Sequence, residues 1–367
     1  MIKPNATESQ DRHNQDGHNN SDKYIGTLIG CALGDTLGMP VEAWSKARIE
    51  KYAGKILCPI GPIIVRDDKG EIIHQDEFGK IRYFNIDLTK GDYTDDTILT
   101  LALAESIATK GGLDLEDIAQ KQLYEYTSRI QPDGTITGGF GGTTRQGFER
   151  LRQGISPLES GVIGGPGNAP AMKMSPLGLY MDATGNHQQG LEYAELIGKI
   201  THLDPRSIAS GVVQAHLIYL LLQEASRNEF VESMVEICSS WEKPVPANYP
   251  AAQKGSLTSR LEWIKNNKDV LDEEAHTALG SGSSVLCSYP FALFMFQKYW
   301  DELLKGLIGT VNWGGDCDTT GAMYGALCGA KNGLIFPEEW LNVLKNKEKI
   351  EAVGKQIYQI KLDRVKA

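Results

Sequence analysis

Over most of this chain apolar residues recur three to four positions apart, the spacing of a helix that buries one face. Ile98, Leu101, Leu103 and Ile107 approximate this spacing, as do Ile208, Val212, Leu217 and Leu221, while Phe291, Leu293, Met295 and Phe296 form a denser apolar run that is also read as helical. Glycine-rich stretches punctuate these runs. Nowhere do strand-like and helix-like segments alternate around a G-x-G-x-x-G turn, which argues against a dinucleotide-binding α/β sheet. The pattern predicts an all-α fold, a compact multi-helix bundle.

Two segments depart from it. Residues 1–23 are almost wholly polar and cannot bury enough apolar surface to offset the entropy of ordering them, so they are expected to be a flexible arm. Between residues 55 and 87, the β-prone runs IIV and EII flank Asp67, Asp68, Lys69 and Gly70, which predicts a small β-hairpin insertion. At Tyr24 the texture changes to Gly- and Ala-rich apolar sequence, with Gly26, Gly30 and Gly34 one helical turn apart. Such a stripe implies a backbone packed closely against a neighbour. No linker divides the chain after residue 23, so residues 24–367 are expected to form a single domain.

Composition narrows the function. The 367 residues are 41% hydrophobic, enough for a full-sized core. A formal net charge of -10 excludes the basic surface that grips nucleic acid or anionic lipid. The longest apolar run, Ile208 to Leu222, is interrupted by Gln214 and His216 and falls short of the ~20 residues of a membrane span. The six cysteines include no C-x-x-C pair and no secretory signal is recognisable, so reduced thiols and a cytoplasmic location are expected.

Two acidic clusters carry the chemical signal. In GDYTDDT, Thr94, Asp95 and Asp96 immediately precede the periodic run ILTLALAESIA; in isolation this reads equally as a capped surface helix. In NWGGDCDTTGAMYGALCGAKNG, Asp316, Asp318 and Thr319 open a second helix, in which Gly321, Gly325 and Gly329 recur beside Ala322, Ala326 and Ala330. Each such glycine costs ~1 kcal/mol relative to alanine, so close packing must compensate and the helix must be central. Paired carboxylates at the mouth of a buried helix repel one another and lose hydration, which a bound cation relieves. The donors are all oxygen, which suits Mg²⁺, or Mn²⁺, over zinc, and four carboxylates suffice for two ions.

Beyond these clusters the chain resembles the ADP-ribosylglycohydrolase family, the group that includes the dinitrogenase reductase-activating glycohydrolases. From residue 24 onward the matching blocks, in order, are GCALGDTLGMPVE, GDYTDDT, GGFGGTTRQGFERL, GNAPAMKMSPLGLY, THLDPRSIASGVV and NWGGDCDTTGAMYGALCGA. The resemblance implies a compact orthogonal all-α bundle with a dinuclear Mg²⁺ centre, ligated by Thr94, Asp95, Asp96, Asp316, Asp318 and Thr319. It brings in Glu42 as a ligand or gate beside the metals and makes Asp96, Asp316 and Glu42 the catalytic set. Asp35, which reads as a cap or polar contact, stays outside it. The loop Gly139, Phe140, Gly141, Gly142, Thr143 and Thr144 is assigned to the diphosphate of ADP-ribose, with Asn168, Ala171 and Met172 on the same ligand. His202 is placed near the phosphates and ribose, and Phe140 is the candidate for stacking on adenine.

The reaction implied is Mg²⁺-dependent hydrolysis of the glycosidic bond between ADP-ribose and a protein side chain, through an oxocarbenium-like state. Arginine is the preferred acceptor; serine or a free ADP-ribosyl metabolite stays open. Two departures from the family bear on this. Cys317 lies between the two aspartates, where it is expected to face the core, and SGSSVLCSYPFALFMF lacks parts of the usual block before the last motif. The partner expected is an ADP-ribosylated protein. A different class of reading is an immunity or binding protein that contacts an ADP-ribosyltransferase toxin through the N-terminal arm, with or without hydrolase activity. A metal-dependent phosphohydrolase would share the oxygen ligands but not the THLDP and GNAPAM blocks.

Overall fold

The computed structural model describes residues 6–66, 68–71, 88–249 and 254–366, as backbone alone over residues 6–19. Among the described residues the fold is all-α, with isolated bridges in place of strands. The first helices are α1 (Ala6–Gly38), followed by one 3-10 turn (Met39–Val41), α2 (Lys46–Tyr52), α3 (Asp95–Lys110), α4 (Leu115–Thr127) and α5 (Gly142–Arg152). Next come α6 (Ala169–Lys173), α7 (Ser175–Thr184), α8 (His187–Lys199), α9 (Pro205–Leu222), α10 (Arg227–Trp241) and α11 (Leu257–Asn266). The chain closes with α12 (Asp272–Leu279), α13 (Ser288–Lys298), α14 (Leu303–Asn312), α15 (Cys317–Asn332), α16 (Glu338–Leu341) and α17 (Lys347–Lys366). The segment expected as a flexible arm is helical in backbone from Ala6 and continuous with α1. The expected hairpin falls largely on residues 67 and 72–87, outside the described residues.

The centre of the bundle is the antiparallel pair α1 and α15, with the chain's most glycine-rich faces turned toward each other. A Cβ placed on Gly30 would fall under 3.0 Å from the Gly325 carbonyl, one on Gly34 equally close to the Gly321 carbonyl, and one on Gly38 equally close to the Asp318 amide. At the far end a Cβ on Gly26 would lie 2.5 Å from the Gly333 carbonyl carbon. The four-residue repeat on each helix is one half of a ladder in which backbone meets backbone. Cys31, Leu33 and Leu37 of α1, and Ala322, Met323 and Leu327 of α15, are buried in the surrounding core. The C-terminal helix α17 lies on the other side of α1, tied to it where Tyr24 and Lys361 both donate to Asp182.

The apolar runs read from the sequence are buried as expected: Ile208, Val212, Leu217 and Leu221 line α9, and Phe291 to Phe296 fill α13. No helix among the described residues is long and apolar enough to cross a membrane. None of the six cysteines is in a disulfide, and Cys317 is fully buried as expected.

Gly325→Ala is expected to destabilise the protein by about 2–3 kcal/mol, because the close approach overrides the helix-propensity gain. Gly309→Ala in α14 meets only the flexible end of Met295 at 3.2 Å and is expected to change stability by less than about 1 kcal/mol. Chemical denaturation of the two variants checks the difference.

Candidate metal centre and its cleft

Because α1 runs antiparallel to α15, the C-terminal end of α1 arrives at the N-terminus of α15. There Asp316 is the N-cap of α15, with Asp318 and Thr319 in its first turn. The N-terminus of α3 meets the same point, with Thr94 as N-cap and Asp95 and Asp96 in the first turn. The two acidic clusters, more than two hundred residues apart in sequence, are in contact: the Thr319 hydroxyl donates to Asp96 Oδ2 at 3.3 Å. Glu42 follows the 3-10 turn after α1, and ligand atoms of Glu42, Asp316 and Asp318 lie within 4.8 Å of one another. The two helix N-termini also turn the positive ends of their dipoles toward the carboxylates.

Asp35 explains how α3 is held there. Thr94 makes no side-chain cap of its own helix. Instead the fully buried carboxylate of Asp35, from α1, accepts from the Thr94 amide at 3.0 Å, the Thr97 amide at 3.1 Å and the Thr97 hydroxyl at 2.6 Å. The Thr94 hydroxyl lies 3.0 Å from Asp35 Oδ1 and 3.1 Å from Asp96 Oδ2, one proton between two acceptors. Asp35 is thus a cap supplied in trans, the polar contact that the sequence suggested.

Electrostatically the cluster is strongly frustrated. Burial, then the Asp318 charge, holds Asp95 and Asp96 well above the usual carboxylate range. Burial pushes Asp316 up to about 7, with the Asp318 charge adding to it. Asp318 is likewise pushed up to about 7 by burial and then by Asp35. Asp35 itself is raised to about 6 by burial, against the pull of its four hydrogen bonds. Asp96 Oδ1 is buried with no hydrogen-bond partner. A donor set made only of oxygen, crowded carboxylates and an orphaned carboxylate oxygen together fit hard divalent cations, whose charge would draw these pKa values back down. The residues that can hold them are Asp95, Asp96, Asp316, Asp318 and Glu42, with the hydroxyls of Thr94 and Thr319.

A cleft of about 920 Å³ opens over this cluster, a volume in the range of small-molecule sites. One wall is the loop Gly138 to Thr144 leading into α5, and Gly139 explains why it is glycine-rich: its φ is 88°, and a Cβ would sit 3.1 Å from Asp95 Oδ1. The opposite wall is built from Glu42, Ala43, Gly282, Ser283 and Gly315. Ala43 has a φ of 62°, and its amide donates to the Gly315 carbonyl at 2.7 Å, while the Gly315 amide returns a bond of 2.7 Å to Trp44. This backbone pairing fixes the Glu42 segment to the loop that carries Asp316. The Asp316 amide in turn donates to Ser281 at 2.7 Å.

Of the expected substrate residues, Gly139, Gly141, Gly142, Thr143, Thr144, Met172 and His202 line the cleft. Two expectations need correction. Phe140 borders the cleft, yet its ring is 1% exposed and packed edge-on to Tyr126, with centroids 5.5 Å apart, and against Phe148; the loop anchors itself through this aromatic, which is not free to stack on a base. Ala171 is fully buried inside α6 and is not among the lining residues. Asn168 lines the cleft as expected, and its amide NH₂ donates to the Ser288 hydroxyl at 2.9 Å and to Asp316, so it also orients a carboxylate.

His202 is buried, its Nδ1 paired with the Thr201 hydroxyl at 2.9 Å. Burial, with Lys173 nearby, pushes its pKa down to about 3, so the imidazole is neutral. Gly167 packs on it so closely that a Cβ would lie 2.8 Å from Nε2. Lys173, in the GNAPAMK block but not singled out in the sequence, is fully buried with its ammonium 3.2 Å from Gln122 Oε1. Burial lowers it to about 7 while the Asp95 charge pulls the other way. The turn Thr135, Ile136 and Thr137, a further stretch of wall, also went unread because no motif marks it.

Asp35→Asn places an amide NH₂ against N–H and O–H donors, and is expected to cost about 1–3 kcal/mol in thermal or chemical unfolding. A second expectation concerns pH. Asp316 and Asp318 titrate near 3.8 when unfolded and are raised to about 7 in the folded chain. The folded state therefore binds more protons between those values, and its stability falls as pH rises through that window. In chelator, the melting temperature is expected to decline from pH 4 toward pH 7 on this account, and millimolar Mg²⁺ to flatten the decline.

The profile of the ADP-ribosylglycohydrolase family matches residues 16–365. The chain is 28% identical to the ADP-ribosyl-[dinitrogen reductase] glycohydrolase of Rhodospirillum rubrum, over 89% of this chain and 91% of that one. It is 26% identical to the ADP-ribosylhydrolase ARH3 of Mus musculus, over 92% and 91% of the two chains. Among solved structures, one titled "ADP-ribosylglycohydrolase-related protein complex" superposes with a TM-score of 0.60 at 25% identity, covering 94% of this chain and 99% of that one. With the profile spanning nearly the whole chain and the acidic clusters joined at the floor of one cleft, the protein belongs to the ADP-ribosylglycohydrolase family.

Proposed function

We propose that this family member hydrolyses the glycosidic bond between ADP-ribose and a modified protein side chain, with arginine as the preferred acceptor and Mg²⁺ as the metal. The observation that carries the reading is the floor of the cleft. There two helix N-termini contribute four carboxylates, Glu42 adds a fifth, and glycine-walled space of about 920 Å³ stands above them. Arginine is the acceptor that the resemblance to the dinitrogenase reductase-activating glycohydrolases implies, with serine the alternative.

Asp95, Asp96, Asp316 and Asp318, with Thr94 and Thr319, are the proposed metal ligands, and two ions match their number. When bound, Mg²⁺ supplies Lewis acidity toward ribose oxygens and lowers the pKa of water. The chain's own residues do the rest. Asn168 donates to Asp316 and so favours its ionised form and fixes its orientation. Asp316 and Asp96 flank the floor, where either carboxylate can take the proton of the attacking water. Glu42, on the segment pinned to Gly315, closes the acidic side. The Gly139 to Thr144 loop offers backbone N–H groups to the diphosphate. Neutral His202 can donate or accept a hydrogen bond at the wall without adding charge.

The test is release of free ADP-ribose from arginine-linked and serine-linked substrates by the purified chain, with Mg²⁺ and with chelator. Metal-dependent release from the arginine substrate is expected, with Asp316→Ala reduced by more than about a hundredfold while its circular dichroism stays that of the wild type. Release from the serine substrate alone would reassign the acceptor. Undiminished turnover by Asp316→Ala would remove the proposed mechanism.

A further inference from the structure

Among the described residues that line the cleft, Arg145 is the one cationic side chain; the other charged groups there are Glu42, Asp95, Asp96, Asp316 and Asp318. It sits in the first turn of α5, where the helix dipole disfavours positive charge and no acidic residue offsets it. Its Nε donates to the Phe140 carbonyl at 2.7 Å, and Phe140 is locked in the core by Tyr126 and Phe148. The guanidinium is therefore tethered to the rigid part of the glycine loop through one nitrogen, which leaves the two Nη groups for another acceptor.

The acceptor is not the nearest acid on the same helix. Glu149, one turn on, spends its carboxylate on the Tyr126 hydroxyl at 2.9 Å and on Arg152 at 2.8 Å. A cation held at the wall of an otherwise acidic cleft, facing the space that the reaction's ligand enters, matches a phosphate: planar paired N–H donors meet two anionic oxygens. We propose that Arg145 is a substrate-binding residue that reads a phosphate oxygen of the ADP-ribose diphosphate, and so makes the cleft prefer diphosphate-bearing ligands over phosphate-free ribosyl or adenosyl ones. This rests on the function proposed above. In it the metals take the charge of the floor and Arg145 takes that of the diphosphate, so the anionic ligand is not repelled by the acidic cluster.

The experiment is calorimetric binding of ADP-ribose and of adenosine to the full chain in Mg²⁺, at low and high salt, for the wild type, Arg145→Gln and Arg145→Lys. Arg145→Gln is expected to weaken ADP-ribose about tenfold, with a shallower salt dependence. Arg145→Lys, which keeps the charge and loses the fork, is expected to fall between, and adenosine to bind all three alike. If Arg145→Gln binds ADP-ribose as the wild type does, the residue has no such role, and the hydrolase reading stands without it. Equal weakening of adenosine would also overturn the proposal, since the substitution would then have disturbed the loop. A wild type that binds no ADP-ribose at all would overturn this proposal together with the function on which it rests.

Discussion

The structure depends first on the backbone contact between α1 and α15. Two helices come this close only where neither presents a Cβ, and here the condition is met at Gly26, Gly30, Gly34 and Gly38 against Gly333, Gly325, Gly321 and the start of α15. Close approach increases dispersion contact and excludes water along the full length of the pair, which offsets the poor helix propensity of so many glycines. It also sets a register. Because the ladder runs from Gly26 to Gly38, Asp35 and the turn that leads to Glu42 are delivered beside Asp318, and a slip by one turn would move them about 5 Å out of the cluster.

That register brings together charges that would otherwise stay apart. Asp35 is the resolved part of the arrangement: a buried carboxylate with four hydrogen bonds, used to cap α3 from outside. Asp95, Asp96, Asp316 and Asp318 are the unresolved part, raised by burial and by each other, with Asp96 Oδ1 unpaired. Helix N-termini and Asn168 ease the repulsion without cancelling it. The fold thus invests stability in a cluster that only positive charge can relax, which is the usual relation between a strained polar site and its ligand.

The cleft above shows how the same economy of side chains serves access. Gly139 lets its loop pass over Asp95, and Gly167 lets another pass over His202, so backbone reaches places that any side chain would block. The loop is kept in position by Phe140, whose ring faces inward to Tyr126 and Phe148. Arg145 and the neutral His202 then set the charge of the walls independently of the floor.

The sequence by itself determined the helical class, because apolar residues in α3 and α9 recur close to the helical period. It determined too that the helix after Asp316 is central, because so many glycines are tolerated only in close packing. The oxygen-only character of the two acidic clusters was equally legible. Tertiary structure alone decided that the clusters meet, since no local pattern encodes a contact between Asp96 and Thr319. The assignment of individual side chains was decided there as well. Phe140 turns to the core, Asn168 to Asp316, Ala171 away from the cleft, and Lys173 and Arg145 enter the picture only through their neighbours. The physical reason is common to all of these: periodicity reports which face of a helix is buried, whereas what a polar or aromatic group does depends on which partner the packing of distant segments places within hydrogen-bond or van der Waals reach.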